Sequence, residues 1–187
     1  MVFVTIGSSH FGFTRLIAEV DRLAGMGILS DVTAQIGETD YEPRNCRWQR
    51  FLTPTQMRVE MAGADFVICH AGCGTLEDGL RARKKMIVMP RLARRKEVPD
   101  DHQWEIARLL AAHDRILLAN ETDELVSCIT SVATWSPCFA PPRVGNPVVE
   151  YVVEFIAQVG ASQRRSRLHG LGAQVGAFPT SSPLTSR

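Results

Sequence analysis

The sequence predicts an α/β domain, a parallel β-sheet with helices on both faces. Three observations predict it. Short apolar runs alternate with segments of helical periodicity along the first 132 residues. The runs are continuous rather than polar–apolar alternating, the pattern of strands buried on both sides. Several close at a Gly or Pro, as at Gly7, Gly37 and Pro90, which places turns at the carboxyl ends of strands.

Residues 2–6 form a β-rich run closed by Gly7-Ser8-Ser9. Phe13, Leu16, Ile17, Val20 and Leu23 then recur at helical spacing, and Gly25 and Gly27 end that helix. Residues 32–36 are a second strand closed by Gly37, and residues 38–44 a polar loop with Pro43. Residues 48–52 are expected as a short strand and 54–62 as a helix with Met57 and Met61 on one face. Residues 66–69 read as a buried strand, 75–83 as a helix and 86–89 as another buried strand. Residues 101–113 are helical with Ile106, Leu109 and Leu110 inward; 116–118 close the sheet and 122–132 form a helix.

After Trp135 the composition changes. Pro137, Pro141, Pro142, Gly145 and Pro147 mark a linker, and 148–159 reads as a short amphipathic helix. Ser, Arg, Gly, Thr and Pro then dominate, a composition expected to be disordered. The expected organisation is a domain over 1–135, a linker and helix over 136–160, and a tail over 161–187. The chain has 187 residues, 45% hydrophobic and 22% charged, with net charge +1, so global charge points neither to nucleic acid nor to a strongly anionic surface. No apolar run reaches the length of a membrane span. The first residues lack the pattern of a signal peptide, and five Cys without a C-x-x-C suggest a reduced, cytoplasmic protein.

The chemistry concentrates between residues 67 and 103. An apolar run ends in His70-Ala71-Gly72-Cys73-Gly74-Thr75, the turn opens a helix, and the next run ends at Pro90. Backbone N–H groups at a helix start, aided by the helix dipole, suit an anionic phosphate. Gly72 and Gly74 allow close approach of a diphosphate, and Thr75 can donate from the helix start; alternatively the glycines only make a tight turn and Thr75 is an N-cap. Thr75-x-x-Asp78 can equally be a capping box. His70 is either a general base or a structural histidine hydrogen-bonded to the turn. Cys69, His70 and Cys73 supply three potential ligands where a structural zinc needs four, so no metal is expected. His102 and Gln103 follow Asp101 at a helix start, and Asp100 or Asp101 can cap that turn. Arg91, Arg94, Arg95 and Lys96 form either a basic lid over a diphosphate or lipid headgroup, or a solvated loop.

The fragments Phe3-Val4-Thr5-Ile6-Gly7, Gln35-Ile36-Gly37, His70-Ala71-Gly72-Cys73-Gly74-Thr75, Val88-Met89-Pro90-Arg91 and Asp101-His102-Gln103 together resemble the C-terminal, donor-binding domain of family 28 glycosyltransferases. The resemblance covers residues 1–132 and is strongest to the stand-alone form of that domain. That form includes PssE-type exopolysaccharide glycosyltransferase subunits and the cytosolic catalytic subunit of the dolichol-linked N-acetylglucosaminyltransferase. It implies a Rossmann-like half of a GT-B enzyme, split over two chains, that is inverting, metal-independent and uses a UDP-sugar as donor substrate with no other cofactor. A hexose would pass to a lipid-linked glycan, with a membrane-anchored partner binding the acceptor and holding this chain at the inner face of the membrane. A two-domain enzyme needs about twice this length, which agrees with a split enzyme.

On that resemblance the donor-binding residues are Gly7, Ser8, Gly72, Cys73, Gly74, Thr75, Asp78, His102 and Gln103. Gln103 would bind sugar hydroxyls, as an amide both donates and accepts. Asp78 stands where the family places a ribose-binding acid, more often Glu, and Glu77 is adjacent. His70 and His102 are the catalytic candidates within the chain, and the partner is expected to bring the base. The alternative reading is a non-catalytic nucleotide-sugar-binding or scaffolding protein. An epimerase or hydrolase of the GT-B fold would need a second domain, and a dehydrogenase would need a G-x-G-x-x-G that Gly7-Ser8-Ser9-His10 lacks.

Overall fold

A computed structural model describes residues 1–139. The sequence expectations for 140–187, including the 148–159 helix and the tail, lie outside the described residues. Six strands run β1 (Val2–Thr5), β2 (Val32–Gln35), β3 (Arg47–Gln49), β4 (Phe66–Cys69), β5 (Lys85–Val88) and β6 (Leu117–Leu118). Five helices connect them: α1 (Thr14–Gly25), α2 (Pro54–Gly63), α3 (Cys73–Arg81), α4 (His102–Ala112) and α5 (Thr122–Val132). All pairings are parallel and the strand order is β3-β2-β1-β4-β5-β6. This is the expected Rossmann-like architecture.

The continuous apolar runs become two cores because successive side chains leave opposite faces of the sheet. Val2, Val4, Ile68 and Ile87 pack with Leu16, Ile17, Val20 and Leu23 of α1 and Leu125 of α5. Phe3, Val67, Cys69, Met86 and Val88 pack with Met61 of α2, Leu76 of α3 and Ala107 and Leu110 of α4. Each such side chain contributes about 1.5–3 kcal/mol when fully buried, which stabilises strands of only four residues.

Local signals set the helix boundaries. α2 starts with a capping box in which Thr53 and Gln56 satisfy each other's backbone amides, with Pro54 in its first turn. α1 has no side-chain cap of its own; the Phe13 amide at its start donates to Thr39 Oγ1 at 2.8 Å. Consecutive lysines serve opposite faces of the sheet. Lys84 Nζ donates to the Ala62 and Ala64 carbonyls at the end of α2, and Lys85 Nζ to those of Val132 and Ala133 at the end of α5.

The structure moves several expected edges. α3 begins at Cys73 rather than Thr75, because Gly72 already has the extended backbone of an N-cap. β3 covers 47–49 and not 48–52; Phe51 and Leu52 belong to the connection into α2. In α4 the fully buried residues are Ala107 and Leu110, while Ile106 and Leu109 are only half-buried.

Candidate functional site

The strand order reverses direction between β1 and β4, since the chain leaves β1 toward β2 on one side and β4 toward β5 on the other. The carboxyl ends of those two strands carry Gly7 and the His70–Thr75 turn. In open α/β sheets this switch point forms the ligand crevice.

The first wall is the loop after β1. Gly7 has φ +73°, a left-handed conformation that suits glycine. Its amide donates to Thr5 Oγ1 at 3.1 Å, and its carbonyl accepts from Gln35 Nε2 at 2.7 Å. Thr5 Oγ1 in turn donates to Gln35 Oε1 at 2.6 Å. Thr5 and Gln35, both fully paired and buried, therefore clamp the loop from beneath. Ser8 is exposed beyond the clamp.

The second wall is the start of α3. Gly72 is its N-cap and offers no side-chain cap, and no acidic residue occupies the first turn. The first intrahelical bond is made by the Leu76 amide to the Gly72 carbonyl at 3.0 Å. The amides of Cys73, Gly74 and Thr75 thus precede the helical ladder, as the first N–H groups of any helix do. Gly74 is exposed, and a Cβ built on it would meet nothing within 4 Å. Thr75 is buried within the first turn. It is therefore not the N-cap, and the Thr75-x-x-Asp78 capping box is not formed. Cys73 is half-buried, and burial raises its thiol pKa, opposed by its own backbone amide.

His70 joins the two walls. A Cβ on Gly7 would fall 2.6 Å from its Cε1, and one on Gly72 would fall 2.1 Å from its Nε2. Its ring occupies the volume both glycines leave open. Its Nδ1 has no hydrogen-bond partner, and the close approach of Gly7 and Gly72 packs the ring in place. Burial, then the positive charge of Arg91, lowers its pKa to about 3, against a small opposing effect of the Thr5 carbonyl. His70 is thus neutral and a poor proton acceptor at neutral pH, contrary to the general-base reading.

The third contribution comes from the turn after β5 and the start of α4. Gln103 is half-buried, and its Oε1 accepts from the Arg91 amide at 3.2 Å. Asp101 reaches back to the Ala93 amide at 3.0 Å, while Asp100 accepts from the His102 amide at 3.2 Å. His102 itself is exposed and turns to Glu105, 3.2 Å away, and to Asp100. The hydrogen bond to Glu105, then the charge of Asp100, raises its pKa. Asp78 lies further along α3, half-buried; Glu77 is buried and pairs with Arg81 at 2.8 Å.

The basic loop divides: Arg94, Arg95 and Lys96 are exposed, as a solvated loop would have them, whereas its first residue is not. Arg91 is buried. Arg94 and Arg95 both reach Glu121. Glu97 is gripped by two nitrogens of Arg15, at 2.9 and 3.0 Å, and also accepts from the Leu92 amide. Sequence reasoning missed Thr5, Gln35, Arg15 and Glu97 as supports of the site. The bonds that make them supports, Thr5 to Gln35, Gln35 to Gly7 and Arg15 to Glu97, span 28 or more residues of chain, so no local pattern announces them. Among the described residues no group of three His, Cys, Asp or Glu is placed to hold a metal ion, and no helix is long and apolar enough to cross a membrane.

The model of the glycosyltransferase family 28 C-terminal domain matches residues 1–136. No curated protein sequence matches the chain. Among solved structures, the glycotransferase of kitacinnamycin aligns at TM-score 0.54 and 17% identity, over 88% of this chain and 39% of its own. The solution structure of ALG13 aligns at 0.53 and 20% identity, over 81% of this chain and 93% of its own. MurG from Acinetobacter baumannii aligns at 0.51 and 18% identity, over 84% of this chain and 52% of its own. At these identities the likeness is one of fold. The chain is similar in extent to ALG13 and spans about half of MurG or less than half of the kitacinnamycin protein.

Proposed function

Because the chain belongs to the glycosyltransferase family 28 C-terminal domain family, we propose that it is the donor-binding subunit of an inverting glycosyltransferase that uses a UDP-sugar. The observation that carries this reading is the uncapped start of α3 opening at the β1/β4 switch point, with open space over Gly74. Amides there would receive the donor diphosphate and stabilise the charge that grows on departing UDP. Gly7 and Ser8 border the crevice, Cys73 and Thr75 contribute backbone amides, and Asp78 takes the ribose hydroxyls. Gln103 and His102 lie toward the transferred hexose. Gln103 already uses its carbonyl on Arg91, which leaves its NH₂ for a sugar hydroxyl.

The acceptor hydroxyl needs a base. His70, with a pKa of about 3, is unsuited to that role, and the base is assigned to the acceptor-binding half of the enzyme. A membrane-anchored partner subunit would supply that half, present a lipid-linked glycan, and hold this chain at the inner face of the membrane. The described residues form one Rossmann-like unit, which supports reading them as one half of a GT-B site.

Thermal unfolding with UDP and with UDP-sugars tests the proposal. UDP is expected to raise Tm, since a ligand bound only by the folded state stabilises it. Gly74→Val should abolish that shift without lowering Tm in the absence of ligand. Unchanged stabilisation of Gly74→Val by UDP would overturn the placement. Rapid sugar transfer by the isolated chain to a soluble acceptor would overturn the split enzyme.

A further inference from the structure

Arg91 is 1% exposed, yet among the described residues no carboxylate touches it; the charge of Glu97 acts on it only from a distance and only partly offsets its burial. A buried cation with no carboxylate in contact is costly, so a residue that only filled this space would be better as Leu or Met. The guanidinium has a specific occupation instead. Its Nη2 donates to the carbonyls of Ile6, at 3.0 Å, and Phe11, at 2.8 Å. Those two groups bracket the loop that contains Gly7, Ser8, Ser9 and His10. The flat guanidinium also lies over the Phe13 ring, 5.1 Å from its centroid, at the entry to α1. The backbone amide of the same residue donates to Gln103 Oε1. One residue thus holds both ends of the first loop and the start of α4.

We propose that Arg91 is a positioning residue of the donor site: it staples the loop after β1 to the turn after β5, so that Gly7 and Gln103 face one crevice at a set separation. The proposal rests on the donor-site reading above and extends it to a residue that does not touch the ligand. A planar fork stacked on an aromatic ring resists both sliding and rotation; a lysine ammonium can reach the two carbonyls but lacks the stack. The orphaned Nε of Arg91 fits this account, because the side chain is oriented by its Nη2 bonds and by Phe13.

The test uses the full chain with UDP as probe. Arg91→Met and Arg91→Lys are compared with the wild type by calorimetric UDP titration, by Tm without ligand, and by amide hydrogen exchange. Arg91→Met should weaken UDP binding about tenfold or more, with Arg91→Lys intermediate. Exchange at residues 8–11 should accelerate in both, while β5 amides stay protected. UDP affinity within twofold of wild type, or unchanged exchange at 8–11, overturns the staple even if Tm falls. If Arg91→Met does not fold, Phe13→Leu carries the same test, because it removes the ring beneath the guanidinium and keeps its hydrogen bonds. Failure of the wild type to bind UDP would sink the donor-site reading by itself, and the exchange measurement would then decide the staple alone.

Discussion

The ring of His70 and the backbone of Gly72 occupy one another's space: a Cβ at Gly72 would lie 2.1 Å from His70 Nε2. No side chain fits there unless the ring moves, and the ring is buried between two loops. Gly74, two residues on, has no such neighbour. The two glycines of one turn therefore differ: packing against His70 requires glycine at 72, whereas the space beside Gly74 is open.

The contrast gives opposite expectations. Gly72→Ala should destabilise the fold by about 2 kcal/mol or more, through overpacking against His70. Gly74→Ala should leave stability unchanged or raise it by up to about 1 kcal/mol, because alanine favours the helix. Urea unfolding midpoints measure both. Equal destabilisation by the two variants would contradict the assignment.

His70 should make folding pH-dependent. Its folded pKa, about 3, lies below the ordinary value of 6.5, so the unfolded chain takes up the proton first. Stability is full above the unfolded pKa and falls as pH drops below it, with a slope approaching about 1.4 kcal/mol per pH unit. His102 works in the opposite sense, since its pKa is raised by Glu105 and Asp100, but its contribution is common to wild type and a His70 variant. Unfolding free energy measured from about pH 7 to pH 5 should therefore fall less steeply in His70→Gln than in the wild type. Identical slopes would show that the imidazole is not held neutral.

Glu97 should matter more than its loop position suggests. It is 14% exposed and receives two nitrogens of Arg15, which is 12% exposed, together with the Leu92 amide. Glu97→Gln leaves Arg15 with weakened compensation in a poorly solvated place. A loss of about 3 kcal/mol is expected, together with faster proteolysis within residues 91–99. A variant as stable and as protease-resistant as the wild type would show that the loop is not pinned by this pair.

Lys84 should contribute through hydrogen bonding rather than through net charge. Its ammonium closes the end of α2 by bonding two carbonyls. Lys84→Met should cost about 1 kcal/mol, and added salt should change the difference little. Complete recovery of the loss at high salt would point to long-range charge effects instead.

Much of the framework is legible locally. β4 and α5 fall where the apolar run and the helical spacing place them, at Phe66–Cys69 and Thr122–Val132. The glycine turn after His70 announces a strand-to-helix elbow, and its position beside the first loop follows from a parallel sheet. Residue type favours Thr75 over Gly72 as an N-cap, yet the helix starts two residues earlier than Thr75, because the backbone is already extended at Gly72. Sequence alone does not separate Arg91 from its exposed neighbours Arg94 and Arg95; its carbonyl acceptors at Ile6 and Phe11 account for its burial.

Periodicity and turn chemistry, read along the chain, determined the alternation of strands and helices, the two-sided burial of the sheet and the glycine elbow after β4. These are near-neighbour properties, set by backbone geometry and by which side chains avoid water. The tertiary structure alone decided that His70 is a neutral wedge, that Arg91 faces inward and that Thr5 and Gln35 clamp Gly7. Those roles depend on desolvation and on hydrogen bonds between segments tens of residues apart, and such terms exist only once the sheet has brought the segments together.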